Sequence, residues 1–118
     1  QQRTAIVEVF EGATQPLSPH DVLDRAKKQQ AGLGIATVYR TIRALLDENR
    51  IVPVEVSGKP PLYERADLEH HHHFHCEACG EVTPLTGCSL STNYKLPRGF
   101  NAISHEVLFR GTCAGCSR

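Results

Sequence analysis

The segment ATVYRTIRALLDE, residues 36–48, carries the clearest structural signal of the first half of the chain. Its apolar side chains recur at the spacing of one helical face and are Val38, Ile42, Leu45 and Leu46. The opposite face carries Tyr39, Arg40 and Arg43. Most such faces are only solvated, but arginine also binds guanine edges or phosphates, and tyrosine contacts thymine methyls. The stretch predicts an amphipathic helix whose polar face either is solvated or contacts nucleic acid.

Two shorter helices are predicted before this one. Residues 4–11 place apolar side chains at helical spacing, and Gly12 ends the pattern. Ser18 followed by Pro19 is typical of a helix start, with serine as the cap and proline in the first turn. The second helix is therefore expected to run from this pair to about Gln30.

A hairpin is predicted after the third helix. Val52, Val54 and Val56 alternate along the chain, which is the pattern of a half-buried strand. The turn sequence SGKP, residues 57–60, separates it from a return strand over residues 62–65. Three helices followed by a hairpin make a winged helix-turn-helix, and Lys59 would then lie at the wing tip beside a DNA backbone.

Composition limits the classes of protein that need to be considered. The chain has 118 residues, 40% of them apolar, and a formal net charge of zero. It is long enough for one compact domain or two very small modules, and no apolar run approaches the length of a membrane span. The balanced charge argues against binding nucleic acid by bulk charge alone, but a local basic face is compatible with it. The absence of Met leads us to expect that the natural start lies outside this sequence.

The second half differs from the first because it concentrates metal-ligating residue types. Two Cys-x-x-Cys pairs, Cys76 with Cys79 and Cys113 with Cys116, supply four thiols. Four thiolates satisfy tetrahedral zinc. The alternatives are a disulfide framework, which would leave one of five cysteines unpaired, or a redox motif, which needs a βαβ setting. The spacing therefore predicts a structural zinc site, with Cys88 as the cysteine left over.

A run of histidines, EHHHHFH at residues 69–75, precedes the first cysteine pair. It is internal, unlike an expression tag, and the alternative is a solvated loop. If the run is a strand, His71, His73 and His75 point to one side, and His70 and His72 point to the other. One strand would then supply imidazoles to two metal sites, with His105 as a further ligand.

The rest of the second half is predicted to form a small α+β unit. Residues 81–85 have the pattern of a strand, and residues 89–96 that of a short helix or loop. Residues 100–109 are expected to form one or two further strands.

The residues GIATVYRTI, 34–42, closely resemble the recognition-helix segment of the ferric uptake regulator family. The similarity continues through Tyr63-Glu64, the histidine run, CEACG at 76–80, Gly99-Phe100, His105 and the GTCAGC segment at 111–116. It covers nearly the whole chain in order. The resemblance implies that the family's first helix, with its minor-groove contacts, is missing from this sequence.

The resemblance implies an α+β protein with three parts: a winged-helix DNA-binding domain at 1–65, a hinge at 66–69 and a metal-binding dimerisation domain at 70–118. Such a protein would be a cytoplasmic homodimer that represses metal-homeostasis genes by binding a double-stranded DNA operator. By analogy with the family, Tyr39 and Arg40 would reach bases, and Thr37 would be placed for the DNA backbone. Arg43 and Lys59 complete the expected DNA-binding set.

The resemblance also implies a regulatory metal at the hinge, with Glu64, His71 and His73 as ligands. The family's hinge histidine falls on Pro16 here and its later carboxylate on Pro84, so His20 and Glu81 are candidate substitutes. A second family site would use a further set of candidate ligands, His70, His72 and His105, without the family's acids. Imidazole-rich sites favour Zn²⁺, Ni²⁺ or Cu²⁺ over Mn²⁺ and weaken an assignment to Fe²⁺. The candidate regulatory metals are Zn²⁺, Fe²⁺, Ni²⁺ and Mn²⁺, and zinc and iron are the leading ones.

Two other classes of function remain open at this point. His70, His72 and His75 could belong to a small zinc hydrolase in which the metal activates water, but Phe74 stands where such patterns place an acid, and we expect no enzyme. A zinc-stabilised protein-interaction module is the other alternative. We expect neither a membrane partner nor a small-molecule substrate.

Overall fold

The computed structural model describes residues 1–56, 58–69, 71–87 and 95–117. Its elements, in chain order, are α1 (Gln2–Gly12), α2 (Pro19–Ala26), α3 (Ile35–Asp47), β1 (Ile51–Val54), β2 (Leu62–Arg65), β3 (His71–Cys76), β4 (Val82–Thr86) and β5 (Leu108–Gly111). The chain divides into two units, Gln1–Leu68 and Glu69–Arg118. His70, Cys88 and most of the predicted helix or loop at 89–96 lie outside the described residues. Among the described residues, none of the helices combines the length and apolar character that a membrane crossing requires.

The first unit is built on a core shared by its three helices. Val38, Ile42 and Leu45 on the inner face of α3 are almost completely buried, as the spacing predicted. They join a cluster with side chains of the other two helices and their connections, namely Ala5, Ile6, Phe10, Leu17, Val22, Ala26, Leu33 and Ile51. Burial of such side chains contributes roughly 1.5–3 kcal/mol each, so this core holds the polar face of α3 outward.

The start of α2 follows the sequence expectation, but its end does not. Ser18 accepts a hydrogen bond from the backbone N–H of Asp21, and the Asp21 carboxylate accepts one from the N–H of Ser18, which makes a capping box. The helix ends at Ala26 instead of near Gln30. The N–H groups of Lys28 and Gln29 reach back only three residues, so the chain tightens into turns that end the α-helix early.

The hairpin pairs β1 with β2 antiparallel, from Ile51 opposite Arg65 to Val54 opposite Leu62. Three helices followed by this hairpin give the predicted winged helix-turn-helix. The predicted alternation is wrong at Val52, which is 38% exposed. Ile51 instead takes the inward position because it packs into the helical core.

The end of β2 is tied to the end of α1. The Arg65 guanidinium contacts the Asp67 carboxylate at two distances of 2.9 Å and donates a hydrogen bond to the carbonyl oxygen of Glu11 at 3.3 Å. The hydrogen bond from Arg65 lowers the pKa of Asp67. These contacts fix the course of the chain as it leaves the hairpin of the first unit.

The second unit contains a three-stranded sheet in the order β4-β3-β5. β4 pairs antiparallel with β3, and β5 pairs with it in parallel, from His73 beside Leu108 to Cys76 beside Gly111. The histidine run is therefore the central strand of this sheet, which confirms the strand interpretation.

The prediction of strands over residues 100–109 is wrong for most of that segment. Only Leu108 and Phe109 of it belong to β5, while residues 100–107 form no regular strand or helix. Ile103 is completely exposed and Phe100 largely so. Within the described part of the chain, Phe100 and Ile103 find little surface to pack on, so side-chain burial does not stabilise a strand here.

Candidate metal centres and a candidate DNA-reading helix

The two cysteine pairs meet at one end of the sheet. The four sulfur atoms all lie within 4.8 Å of one another, and they belong to Cys76, Cys79, Cys113 and Cys116. Cys76 ends β3, and Gly80 makes a backbone turn at φ 82 that returns the chain toward β4. Cys113 lies two residues after the end of β5. The parallel pairing of β5 with β3 therefore brings the second cysteine pair beside the first.

Backbone amides surround the sulfur of Cys76. The N–H of Cys79 donates to it at 3.4 Å and the N–H of Cys113 at 3.3 Å. These two bonds lower the pKa of the Cys76 thiol to about 6. At the other extreme, the neighbouring sulfurs of Cys113 and Cys76 raise the pKa of Cys116 to about 12. Four thiolates together repel one another, and a divalent cation would offset that repulsion.

The arrangement fits a metal ion better than a disulfide. The sulfurs of Cys79 and Cys113 are 3.9 Å apart, whereas a disulfide bond is about 2.05 Å long. All four cysteines are free thiols. Four sulfurs at this separation match the roughly 2.3 Å bonds of tetrahedral zinc–thiolate coordination.

His71 and His73 form a second candidate pair of ligands. Their rings are 4.8 Å apart between centroids, and one nitrogen of each lies within 4.8 Å of the other. Nδ1 of His71 lies 2.7 Å from the carbonyl oxygen of Glu69. A carbonyl oxygen can only accept a hydrogen bond, so Nδ1 of His71 carries the ring proton and Nε2 carries the free lone pair. This is the usual state of a histidine that ligates a metal.

The other predicted ligands differ in how exposed they are. Glu64 belongs to β2 of the first unit and is 8% exposed, and His20 is exposed on α2. Glu81 is exposed just before β4, and its carbonyl oxygen accepts a hydrogen bond from the N–H of Cys76. Pro84 lies opposite His73 in β4.

His72 and His105 lie close together in the second unit, with ring centroids 5.1 Å apart. His72 also makes a contact that the sequence analysis did not predict, because its Nδ1 accepts a hydrogen bond from the backbone N–H of Val107 at 3.1 Å. His75, which was predicted to share one side of the strand with His71 and His73, is buried. Its Nδ1 has no hydrogen-bond partner among the described residues.

The polar face of α3 is accessible. Tyr39 is 52% exposed, and Arg40 and Arg43 are exposed beside it. The guanidinium of Arg40 donates a hydrogen bond to the hydroxyl of Thr37, one turn earlier, at 3.0 Å. Thr37, Tyr39 and Arg40 occupy the N-terminal half of the helix, the part that enters the major groove in helix-turn-helix proteins.

Lys59 lies in the turn between β1 and β2, and its N–H bonds to the carbonyl oxygen of Val56 at 3.1 Å. Gly58 beside it has a φ of 82, a backbone conformation in which glycine is favoured. The sequence-predicted wing tip is therefore a tight turn that carries one cation.

Comparison with known proteins agrees with this architecture. The chain is 33% identical over 119 residues to the ferric uptake regulation protein of Helicobacter pylori strain J99, covering 98% of this chain and 79% of that one. It is 25% identical over 119 residues to the zinc uptake regulation protein of Mycobacterium tuberculosis, with 98% and 92% coverage. Among solved structures, the Helicobacter pylori ferric uptake regulator, described with three functional metal-binding sites, matches with a TM-score of 0.81, 27% identity and coverage of 99% and 80%.

The model of the ferric uptake regulator family matches residues 1–110. Its members are metal-responsive transcription regulators and not enzymes. The match extends from α1 into β5, and so covers the first unit and most of the second. The chain belongs to the ferric uptake regulator family.

Proposed function

We propose that this protein is a cytoplasmic repressor of metal-homeostasis genes, which binds a double-stranded DNA operator as a homodimer when a regulatory metal is bound. The observation that carries this proposal is the exposed face of Tyr39, Arg40 and Arg43 on α3, in a winged helix of a metal-responsive family. Because family members are not enzymes, the hydrolase alternative is set aside.

The DNA-binding role rests on the chemistry of the α3 face. Arginine pairs with guanine edges or phosphates, and tyrosine contacts thymine methyls or phosphates. The bond from Arg40 to Thr37 holds the guanidinium near the start of the helix, which reduces the side-chain entropy lost on binding. Lys59 at the wing tip would add a phosphate contact.

We expect Arg40→Ala to weaken operator binding by about 1–3 kcal/mol and to relax the preference for one base, because a bidentate contact to guanine is lost. The measurement is fluorescence anisotropy with a duplex selected by the metal-loaded protein and with single-base variants of it. Arg98→Ala, which removes the same charge from an exposed position in the second unit, is the matched control. An equal loss on every sequence would make Arg40 a phosphate contact instead of a base contact.

The regulatory metal is proposed to bind Glu64, His71 and His73. Support comes from the His71 tautomer set by Glu69 and from the closeness of the two imidazoles. One carboxylate with two imidazoles suits Zn²⁺, Fe²⁺ or Ni²⁺, and zinc and iron remain the leading candidates. His20 and Glu81 remain predicted substitutes for the family's missing ligands, and the second set of His70, His72 and His105 remains a prediction.

The proposed mechanism uses the boundary between the two units at Leu68–Glu69. Glu64 precedes the boundary and the two histidines follow it, so a shared metal would restrict how the winged helix is presented. A dimer must place its two recognition helices in half-sites about one helical turn or a multiple of it apart. Metal binding would raise the fraction of dimers whose recognition helices have the spacing that DNA requires. By linkage, DNA binding would then tighten metal binding.

The cluster of four cysteines is proposed to hold a structural Zn²⁺ ion. Such a site is closed, with four protein ligands and no open position. Its contribution is to folding, since the thiolates that bind the metal come together only in the folded chain.

Homodimerisation is proposed through the second unit. β5 is an outer strand of its sheet, and exposed apolar side chains are concentrated on it and just before it: Leu96, Phe100, Ile103 and Phe109. An exposed strand edge can pair with another chain, and apolar surface of this kind is typical of an interaction site.

We expect Phe109→Glu to weaken the dimer by about 30-fold or more, because truncating a buried aromatic anchor costs at least about 2 kcal/mol and the added charge costs more. Phe109 is 54% exposed in the single chain. Analytical ultracentrifugation across protein concentrations measures the change. Val52→Glu introduces the same charge at an exposed apolar position of the first unit and should leave the dimer intact; an unchanged mass for Phe109→Glu would exclude β5 from the interface.

A further inference from the structure

His72 holds the chain immediately before β5. It is a central-strand residue that is only 6% exposed, and its Nδ1 accepts the backbone N–H of Val107 at 3.1 Å. The carbonyl oxygen of the same residue, Val107, accepts the N–H of His73 at 3.3 Å. Val107 is therefore bound to β3 through both of its backbone polar groups, one by a side chain and one by the main chain.

This contact determines where the proton on the His72 ring resides. An N–H can only donate, so Nδ1 of His72 must present its lone pair to Val107. A neutral imidazole has one proton, which is then on Nε2. A histidine that ligates a metal through Nε2 needs the opposite arrangement, with the proton on Nδ1. His71 on the same strand has that opposite arrangement.

We propose that His72 is a positioning residue that docks the start of β5 onto β3, and that it is not a metal ligand while Val107 is docked. The bond extends the parallel pairing by one residue beyond Leu108, where β5 begins. Ligation through Nε2 would require the bond to Val107 to break, so the second set of candidate ligands and the docked strand exclude each other. The inference does not rest on the regulatory site at Glu64, His71 and His73.

The docking has a consequence for the surface that β5 presents. Phe109 lies two residues after Val107 and pairs with Phe74. Because two hydrogen bonds hold Val107 to β3, they fix the register in which β5 pairs with β3. A slip of one residue in that register would turn Phe109 to the other face of the sheet. The side chain of His72 thereby sets which face of the strand carries the exposed aromatic ring.

The first test reads the tautomer in the intact wild-type protein loaded with Zn²⁺. Nitrogen-15 NMR of the imidazole rings is expected to show an unprotonated Nδ1 and a protonated Nε2 for His72. A protonated Nδ1 combined with a metal-shifted Nε2 would overturn the proposal.

The second test separates docking from ligation with two substitutions. The side-chain oxygen of asparagine can take the place of Nδ1, so His72→Asn is expected to keep the Val107 amide protected from hydrogen exchange, whereas His72→Ala should speed its exchange about tenfold or more. Metal content per chain, measured by elemental analysis, should equal that of the wild type in both. A content lower by one ion in His72→Asn would overturn the proposal, as would unchanged Val107 exchange in His72→Ala. If His72→Ala does not fold, the metal content of the asparagine variant still decides.

Discussion

Replacing Cys113 with serine is expected to release the zinc ion that we propose for the cysteine cluster and to unfold the second unit. Zinc binding by clusters of this kind supplies on the order of 10–16 kcal/mol at neutral pH, and that free energy is folding free energy. The unit has little else to hold it, because among its described residues only Cys76 and Val82 are buried hydrophobics. A three-stranded sheet with so small a core is not expected to be stable without a metal.

The measurement combines zinc analysis with the NMR amide spectrum. Signals of the first unit should persist in Cys113→Ser, because the helical core of that unit contains no residue of the cluster. Cys88→Ser is the matched control, since it removes the one cysteine outside the two pairs, and it should retain zinc and both sets of signals. A folded second unit in zinc-free Cys113→Ser would show that the cluster is not structural.

The second large effect is expected for His73→Ala, which should abolish most of the metal dependence of DNA binding. Removing one of three proposed ligands leaves a site too weak to fill, so the operator affinity of the variant should resemble that of metal-free wild type. Coupling between two sites typically changes affinity by about 5–150-fold, and that is the size of the loss expected. Anisotropy titrations with and without added metal measure it.

His20→Ala tests whether His20, which is exposed on α2, substitutes for the family's missing hinge histidine. A loss of metal response equal to that of His73→Ala would support His20 as a further ligand, and a full response would exclude it. A full metal response in His73→Ala itself would contradict the assignment of Glu64, His71 and His73.

Features with strong local signals could be predicted from the sequence. The inner face of α3, the cap at Ser18 and the return strand over residues 62–65 follow from spacing and residue type alone. The meeting of the two cysteine pairs could also be predicted, because one ion satisfies both. The resemblance to the family supplied the order of the two units and the candidate hinge ligands.

Features that depend on contacts between distant residues could not be predicted. Val52 has a strand pattern, but the helical core takes Ile51 and leaves Val52 exposed. Residues 100–107 are expected from the sequence to form a strand, yet the described part of the chain leaves Phe100 and Ile103 exposed. The bond from Val107 to His72 joins residues 35 apart in the chain, and no spacing rule indicates it.

We propose that a labile metal, separate from the proposed structural zinc, controls DNA binding. The direct measurement is the affinity of the wild-type protein for a selected operator duplex, before and after a chelator removes the labile metal. Zinc analysis and ultracentrifugation of the same sample verify that the structural zinc and the dimer remain. We predict a fall in affinity of about 5–150-fold that is restored by adding metal, and an unchanged affinity would contradict the claim.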